Sequence, residues 1–571
     1  MSDHFFVDTE TEEKTVASQN SNVAVAHSEV DLVIVGAGFA GMYQLFRARK
    51  LGFSTRVFER GSSVGGTWYW NRYPGARCDT VSVMYSVSYM PDLDQEWDWA
   101  DLYPTQEQIL AYINEIDRRQ GFSKDITFDT SVIKAEWDEH GRHWVVITDA
   151  GEVVHARYVV MASGTLTAVP RTPDVPGIET FKGRWFHTGR WPHEPVDFAG
   201  RRVAVVGTGS TGIQAISEIA KTAGTLTVFQ RTPKFTLPAA NRHYTREELS
   251  EVRTDYPEFR KSLRYTSFGI TETAPDVDLT QLPVSERNEL MERMWRDGTL
   301  GAFFLSHDQK FPLRSQAVND IIADFVRAKI KEIVKDPQTA ETLTPLGYPI
   351  GVNRLCLDTD YYEKFNQDNV FLVDTRKEPI EELTPQGIRT SKAVYEFDDI
   401  IFATGYDAMT GSLTSIDIVG KHGRTLRDDW VDGPATYLGV QAHNYPNLFL
   451  VTAPGGPSVL ANAIITGEQN VDFISDLIGK MQEEELDRIE ADSEAQEKWM
   501  IQVAEVAEGS LYREAYKANA WYTGRNVPGK KVVFMPYAGG VGTYERICEG
   551  IVTDHYPGFE FASRHAERQI V

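Results

Sequence analysis

Two stretches of this chain share one pattern: a short apolar run, a glycine-rich turn, then apolar residues at helical spacing. In the first, Val30-Asp31-Leu32-Val33-Ile34-Val35 runs into Gly36-Ala37-Gly38-Phe39-Ala40-Gly41, and Met42, Leu45 and Phe46 follow as one helix face. In the second, Arg202-Val203-Ala204-Val205-Val206 runs into Gly207-Thr208-Gly209-Ser210-Thr211-Gly212, followed by Ile213, Ile216 and Ile219. A doubly buried strand feeding directly into a packed helix restricts the chain to α/β layers around parallel sheets. The glycines of such a turn serve the tight bend, the close approach of a pyrophosphate and the packing of helix on strand. The uncovered N–H groups at the helix start face the phosphates. Alone, a Gly-x-Gly-x-x-Gly is weak; with the strand before it and the helix after it, it reads as a dinucleotide site.

The two units differ at the end of their second strands. Thr55-Arg56-Val57-Phe58 ends at Glu59, 23 residues past Gly36, where a carboxylate accepts hydrogen bonds from an unphosphorylated ribose. This half suits FAD. Leu226-Thr227-Val228-Phe229 ends at Gln230-Arg231-Thr232, with Arg231 24 residues past Gly207. An acid there would repel a 2′-phosphate, whereas a guanidinium pairs with one, so the second half suits NADPH.

A chain of 571 residues is too long for one hydrophobic core, so two or three domains are expected. No apolar run reaches the about eighteen residues that a membrane span needs. The first thirty residues carry Asp8, Glu10, Glu12 and Glu13 and no apolar core, so they read as a disordered tail rather than a signal peptide. Cys78, Cys356 and Cys548 are odd in number and widely spaced, with no Cys-x-x-Cys, which argues against a dithiol redox pair and for a cytoplasmic location. A net charge of -24 argues against a nucleic-acid partner.

Between the two units lies Phe181-Lys182-Gly183-Arg184-Trp185-Phe186-His187-Thr188-Gly189-Arg190-Trp191-Pro192. Its Phe181, Gly183, His187, Trp191 and Pro192 resemble the fingerprint F-x-G-x-x-x-H-x-x-x-W-P of the type I Baeyer–Villiger monooxygenases. A second family fingerprint is matched by Gly66, Trp68, Tyr73, Pro74, Gly75 and Asp79. The resemblance, which extends over residues 28 to 545, implies that Thr67, Trp68, Tyr85 and Val132 lie against FAD and that Asp79 sits near the flavin ring. It assigns the first fingerprint, His187 included, to coupling between the two units rather than to bond-making.

Gly351-Val352-Asn353-Arg354-Leu355, followed by Tyr361-Tyr362-Glu363, resembles the family stretch K-R-x-x-x-x-x-x-Y-Y-E. Carried over, Arg354 is the central catalytic residue and Asp79 holds its guanidinium. A permanent cation there keeps a C4a-peroxyflavin anionic and then stabilises the oxyanion of its ketone adduct. The chain departs from the family at Asn353, where a lysine associated with the NADPH 2′-phosphate is usual. Asp399-Ile400-Ile401-Phe402 into Ala403-Thr404-Gly405 resembles the segment where family members cross between nucleotide domains. The resemblance further places Ser458, Val459 and Leu460 in the substrate pocket and Trp499 over NADP.

These observations predict an α/β fold of two Rossmann-type domains, for FAD and NADP, with a helical insertion in the second. The expected boundaries are a tail at 1–28, an FAD-binding domain at 29–168 and 395–571, an NADP-binding domain at 169–238 and 338–394, and the insertion at 239–337. The expected reaction uses NADPH and O2 to insert one oxygen next to a ketone carbonyl, giving an ester or lactone, with sulfoxidation as a side activity. The partners are O2 and a small-molecule ketone, with no metal, nucleic acid or membrane. A heteroatom-oxidising flavin monooxygenase shares the glycine motifs but usually lacks the Trp-Pro pair and the Arg354 context. A disulfide reductase of this fold needs the missing dithiol. A non-catalytic flavin-binding protein would not be bleached by NADPH.

Overall fold

The computed structural model describes residues 27–166, 170, 173–271, 274–305 and 311–563. The expected tail, up to residue 26, and the boundary near residue 168 lie outside the described residues.

The first apolar run becomes the strand His27–Val35, which pairs in parallel with Thr55–Phe58 on one side and Val153–Met161 on the other. Because side chains alternate along a strand, Leu32 and Ile34 enter one core and Val33 and Val35 another, on opposite sheet faces. The Leu32 side packs against the helices Phe39–Lys50 and Ala463–Glu483. The Val33 side packs against Trp137 and Trp144 of the antiparallel strands Val132–Asp138 and His143–Thr148. Each such fully buried aliphatic contributes roughly 2 kcal/mol of transfer free energy. Leu448–Leu450 returns late in the chain to pair with Val153–Met161, completing an eight-stranded sheet.

The second sheet has five parallel strands in the order Val370–Asp374, Thr225–Gln230, Arg202–Val206, Asp399–Phe402, Arg184–His187. Val203 and Val205 face a large core shared with the helices Val284–Arg296 and Gln316–Ile333. Ala204 faces a smaller one under the meander Ile380–Thr384, Gly387–Thr390 and Val394–Glu396. The strand Asp399–Phe402 lies inside this sheet, so the boundary expected at residue 395 is corrected to just after Phe402. The fully buried Asp399 carboxylate fixes the strand there, accepting from Arg184 Nε at 2.6 Å and from Arg201.

The insertion divides its allegiance. Leu249 and Tyr256, from the helices Arg246–Thr254 and Tyr256–Leu263, join the core of the first unit, whereas Met291, Met294, Ile322, Val326 and Ile330 join that of the second. Among the described residues no helix is long and apolar enough to cross a membrane.

Candidate active site

At the carboxyl ends of both sheets the loops enclose one continuous cavity of about 1030 Å³, lined by residues of both glycine turns. Its first half is a cradle of backbone. Gly36 has φ +103°, and a Cβ there would lie 2.5 Å from the Ala162 carbonyl oxygen. Gly66, at φ +52°, packs its Cα side against Gly38, and Gly65 N donates to Ala37 O at 3.0 Å, locking the two glycine loops together. The helix Phe39–Lys50 starts at Gly38 with no side-chain cap, so its first N–H groups are left to the cavity. Gly41 does not line the cavity: a Cβ there would stand 1.9 Å from Gly36 O, so it serves helix packing.

Glu59 is buried at the end of its strand, its Oε2 accepting from Ala37 N at 2.8 Å and its Oε1 from Gly61 N at 2.7 Å. Burial pushes its carboxyl up, and those two backbone donors pull it back down. Trp70 also hydrogen-bonds this carboxylate, and its remaining acceptor capacity suits a ribose hydroxyl. Thr67, Trp68, Tyr85 and Val132 all line this half, and Trp68 Nε1 donates to Tyr85 Oη at 3.1 Å. These features fit an FAD adenosine and pyrophosphate.

The second half repeats the arrangement. The helix Ser210–Ile219 starts at Gly209, again without a side-chain cap. Gly207, Thr208, Gly209, Ser210, Thr211, Arg231 and Thr232 line the cavity, and Gly212, like Gly41, packs against the turn instead. Arg231 is exposed at the rim, as a group meeting an incoming phosphate requires. Thr208 Oγ1 donates to Thr232 O at 3.3 Å, and Asn519 Nδ2 to Thr232 Oγ1 at 3.2 Å, tying the C-terminal segment to this end. Two cradles with uncapped helix starts, one closed by an acid and one by a cation, fit FAD and NADP(H) respectively.

Where the halves meet, Arg354 Nε and Nη2 donate to the two Asp79 oxygens at 2.8 and 2.7 Å, and Nη1 donates to Val459 O at 2.9 Å. About a third of each side chain is open, 32% for Arg354 and 31% for Asp79, and the opening is into the cavity that both line. The Asp79 charge drives the Arg354 pKa further up, against desolvation, so the guanidinium stays charged throughout the working range. Cys78 and Cys356 also lie here, but burial pushes their thiols up to about 12 and about 11, which leaves them protonated at neutral pH and unfit as nucleophiles. The centre therefore offers one fixed positive charge, and its one carboxylate among the residues just named, Asp79, is held by that charge.

Two expected placements change, those of Trp499 and Leu460. Trp499 is in the core rather than the cavity: its indole stacks on Tyr537 with centroids 5.2 Å apart, and its Nε1 donates to Gly455 O at 3.1 Å. The helix Ser493–Glu508 turns that face inward, and in the C-terminal segment it is Trp521 that lines the cavity. Leu460 likewise packs against the core of the second unit, while Ser458 and Val459 line the cavity. Ser458 Oγ donates to Thr452 O at 2.5 Å, so its hydroxyl holds the loop.

The fingerprint residues stand behind the cavity wall. His187 is buried at the edge strand, its Nδ1 accepting from Gly189 N at 3.0 Å and its Nε2 3.3 Å from Thr404 Oγ1. Trp191 packs between Phe186 and Phe198. Phe181 is buried in the small core, and a Cβ on Gly183 would meet Asp398 O at 2.5 Å. Pro192, half-buried, closes the turn. Sequence reasoning assigned no role to Lys234, Trp521 and Asn519, which also line the cavity; only the Trp521 stretch carried a signal, as a familiar-looking segment.

A family profile described as flavin-binding monooxygenase-like matches residues 29–253. Cyclopentanone 1,2-monooxygenase of Comamonas sp. (strain NCIMB 9872) is 39% identical, over 94% of this chain and 97% of that one. A Baeyer–Villiger monooxygenase of Pseudooceanicola batsensis is also 39% identical, over 94% and 97%. The crystal structure of OTEMO in complex with FAD and NADP superposes with a TM-score of 0.88 at 38% identity, covering 93% of this chain and 99% of that one.

Proposed function

The chain belongs to the Baeyer–Villiger monooxygenase family, and on that premise we propose how its own residues perform the reaction. It is an FAD- and NADPH-dependent monooxygenase that inserts one atom of dioxygen next to a ketone carbonyl, forming an ester or lactone. Bound FAD, reduced by NADPH, supplies the hydride acceptor and the activation of oxygen. FAD is held by the unit of residues 27–166 and 403–563, through the Gly36–Gly38 turn, Glu59, Gly66 and Thr67. NADP(H) is held by the unit built on 173–238 and 338–402, through the Gly207–Thr211 turn, Arg231 and Thr232.

Arg354 is the catalytic residue. It stabilises negative charge on the attacking oxygen and then on the carbonyl oxygen of the ketone, and it takes up no proton while doing so. Asp79 and the Val459 carbonyl aim it, and they take three of its hydrogen bonds, so the remaining guanidinium N–H groups are left to donate to an anion in the cavity. The buried aromatic wall around Trp68 and Tyr85 excludes water from this centre. Val459 and Trp521 border the space left for a small ketone, and sulfides are expected as secondary substrates. The observation that carries this reading is the bidentate Arg354–Asp79 pair at the junction of the two nucleotide cradles.

The test is a two-stage assay on the FAD-loaded enzyme. Without oxygen, NADPH bleaches the flavin absorbance in wild type and in Arg354→Ala alike. With oxygen and cyclopentanone added, wild type yields lactone and Arg354→Ala yields less by about 100-fold or more. Lactone formation by Arg354→Ala near the wild-type rate would remove Arg354 from its assigned role.

A further inference from the structure

Lys234 lies three residues beyond Arg231, on the segment leading into the strand Thr236–Pro238, and it lines the nucleotide cavity together with Thr208, Arg231, Thr232 and Asn353. Its Nζ donates to the Ala518 carbonyl at 2.7 Å. Asn353 Nδ2 donates to that same oxygen at 3.3 Å, so an ammonium and an amide from two separate segments of the second unit share one acceptor. The Tyr348 ring lies beneath the ammonium, 6.0 Å from Nζ to centroid. Among the described residues no carboxylate is within ion-pairing distance of Lys234, although buried charges are ordinarily paired. Burial, with added repulsion from Arg231, pushes the ammonium down to about 8. A half-buried cation that has no carboxylate partner among the described residues, and that shares a ligand cavity with a second cation and two hydroxyls, is a site for a doubly charged anion.

We propose that Lys234 is a specificity residue of the NADP(H) site, donating to the 2′-phosphate together with Arg231. The inference rests on the NADPH reading above and assigns that site a cation which the residue at 353 does not supply. An asparagine at 353 has no charge to offer the phosphate, but its amide shares the Ala518 oxygen with Lys234, so a positive charge is supplied beside residue 353 from the segment that follows Arg231. The remaining N–H groups of Lys234 are then available to the phosphate oxygens.

The experiment is calorimetric titration of the oxidised, FAD-loaded enzyme with NADP⁺ and, separately, with NAD⁺. Wild type is expected to prefer NADP⁺. Lys234→Met should weaken NADP⁺ binding by about tenfold or more, the worth of one charge-assisted hydrogen bond, while NAD⁺ binding stays within about twofold. Adding Asn353→Lys to Lys234→Met should restore most of the NADP⁺ affinity, and Lys234→Arg should retain it. Equal weakening of both dinucleotides by Lys234→Met would show that the side chain merely props the Ala518 segment, and no effect on either would exclude any contact; both results overturn the proposal. Wild type binding NADP⁺ and NAD⁺ equally would instead defeat the NADPH reading itself.

Discussion

At the residue scale, each guanidinium nitrogen of Arg354 is anchored before any ligand arrives, with Nε and Nη2 on Asp79 and Nη1 on the Val459 carbonyl. A planar fork on a carboxylate fixes direction as well as charge, which a lysine cannot reproduce. Asp79→Asn keeps the shape but removes the charge and one acceptor, so it should lower lactone turnover about tenfold or more while NADPH still bleaches the flavin; rapid-mixing absorbance separates the two steps. A second carboxyl works in the opposite sense. Asp358 is half-buried beside the Lys234 segment, accepting from Thr236 Oγ1 and Tyr361 N, and desolvation pushes it up to about 7. A folded pKa above the unfolded value of about 4 means that its stabilising contribution is complete below pH about 4 and is lost as pH rises through about 7. Glu468, raised to about 7 by burial, adds a loss over the same window. Asp358→Asn should therefore lose less stability than wild type between pH 5 and pH 8, by roughly 1–4 kcal/mol. Urea midpoints at the two pH values measure the difference, and parallel curves for the two proteins would contradict it.

At the element scale, the two glycine turns are alike in sequence, and their glycines act for different reasons. Gly41 and Gly212 sit in the first turns of their helices, where a Cβ would fall 1.9 and 2.2 Å from the carbonyl oxygens of Gly36 and Gly207. These contacts are with backbone, so neither can yield without opening the turn. Gly209 has nothing within 4 Å of a Cβ. Gly41→Ala should therefore purify with little flavin, measured as the ratio of flavin to protein absorbance. Gly212→Ala should keep its flavin and lose NADP⁺ affinity by about tenfold or more, at a cost typical of overpacking, roughly 1–3 kcal/mol. Loss of flavin from Gly212→Ala would mean that the cradles are not independent. The strand–turn–helix units were legible in the sequence because each is local: the burial pattern, the glycines and the helix face lie within about twenty residues of one another. The same holds for the slots of Glu59 and Arg231, whose distance from the turn is set by the length of one helix and one strand. Trp499 was not legible, because which face of the helix Ser493–Glu508 turns inward depends on Tyr537 and Tyr544, which arrive later in the chain.

At the scale of the whole molecule, the insertion joins the two units, because its first helices pack on the FAD side and its later ones on the NADP side. One of its ties to the first unit is a buried ion pair, Arg260 Nη1 and Nη2 on Asp94 at 2.7 Å each, with Ser86 Oγ accepting from Arg260 at 2.8 Å. Arg260→Met leaves Asp94 buried without a partner and should cost about 3–5 kcal/mol by chemical denaturation, with Asp94→Leu in addition recovering part of it. No sequence spacing announces this pair, since its members come from segments 166 residues apart. The strand Asp399–Phe402 teaches the same lesson: its apolar run was recognisable, but its sheet was decided by the Arg184 and Arg201 side chains that meet Asp399. The family, the two nucleotide units, their order and the acid-for-cation exchange between them were determined by the sequence alone, because short-range patterns of burial and backbone geometry encode them. The junction that aims Arg354, the inward turn of Trp499, and the meeting of Lys234 with Asn353 at the Ala518 oxygen were decided only by the tertiary structure. They depend on distances between residues far apart in the chain, which local pattern does not specify.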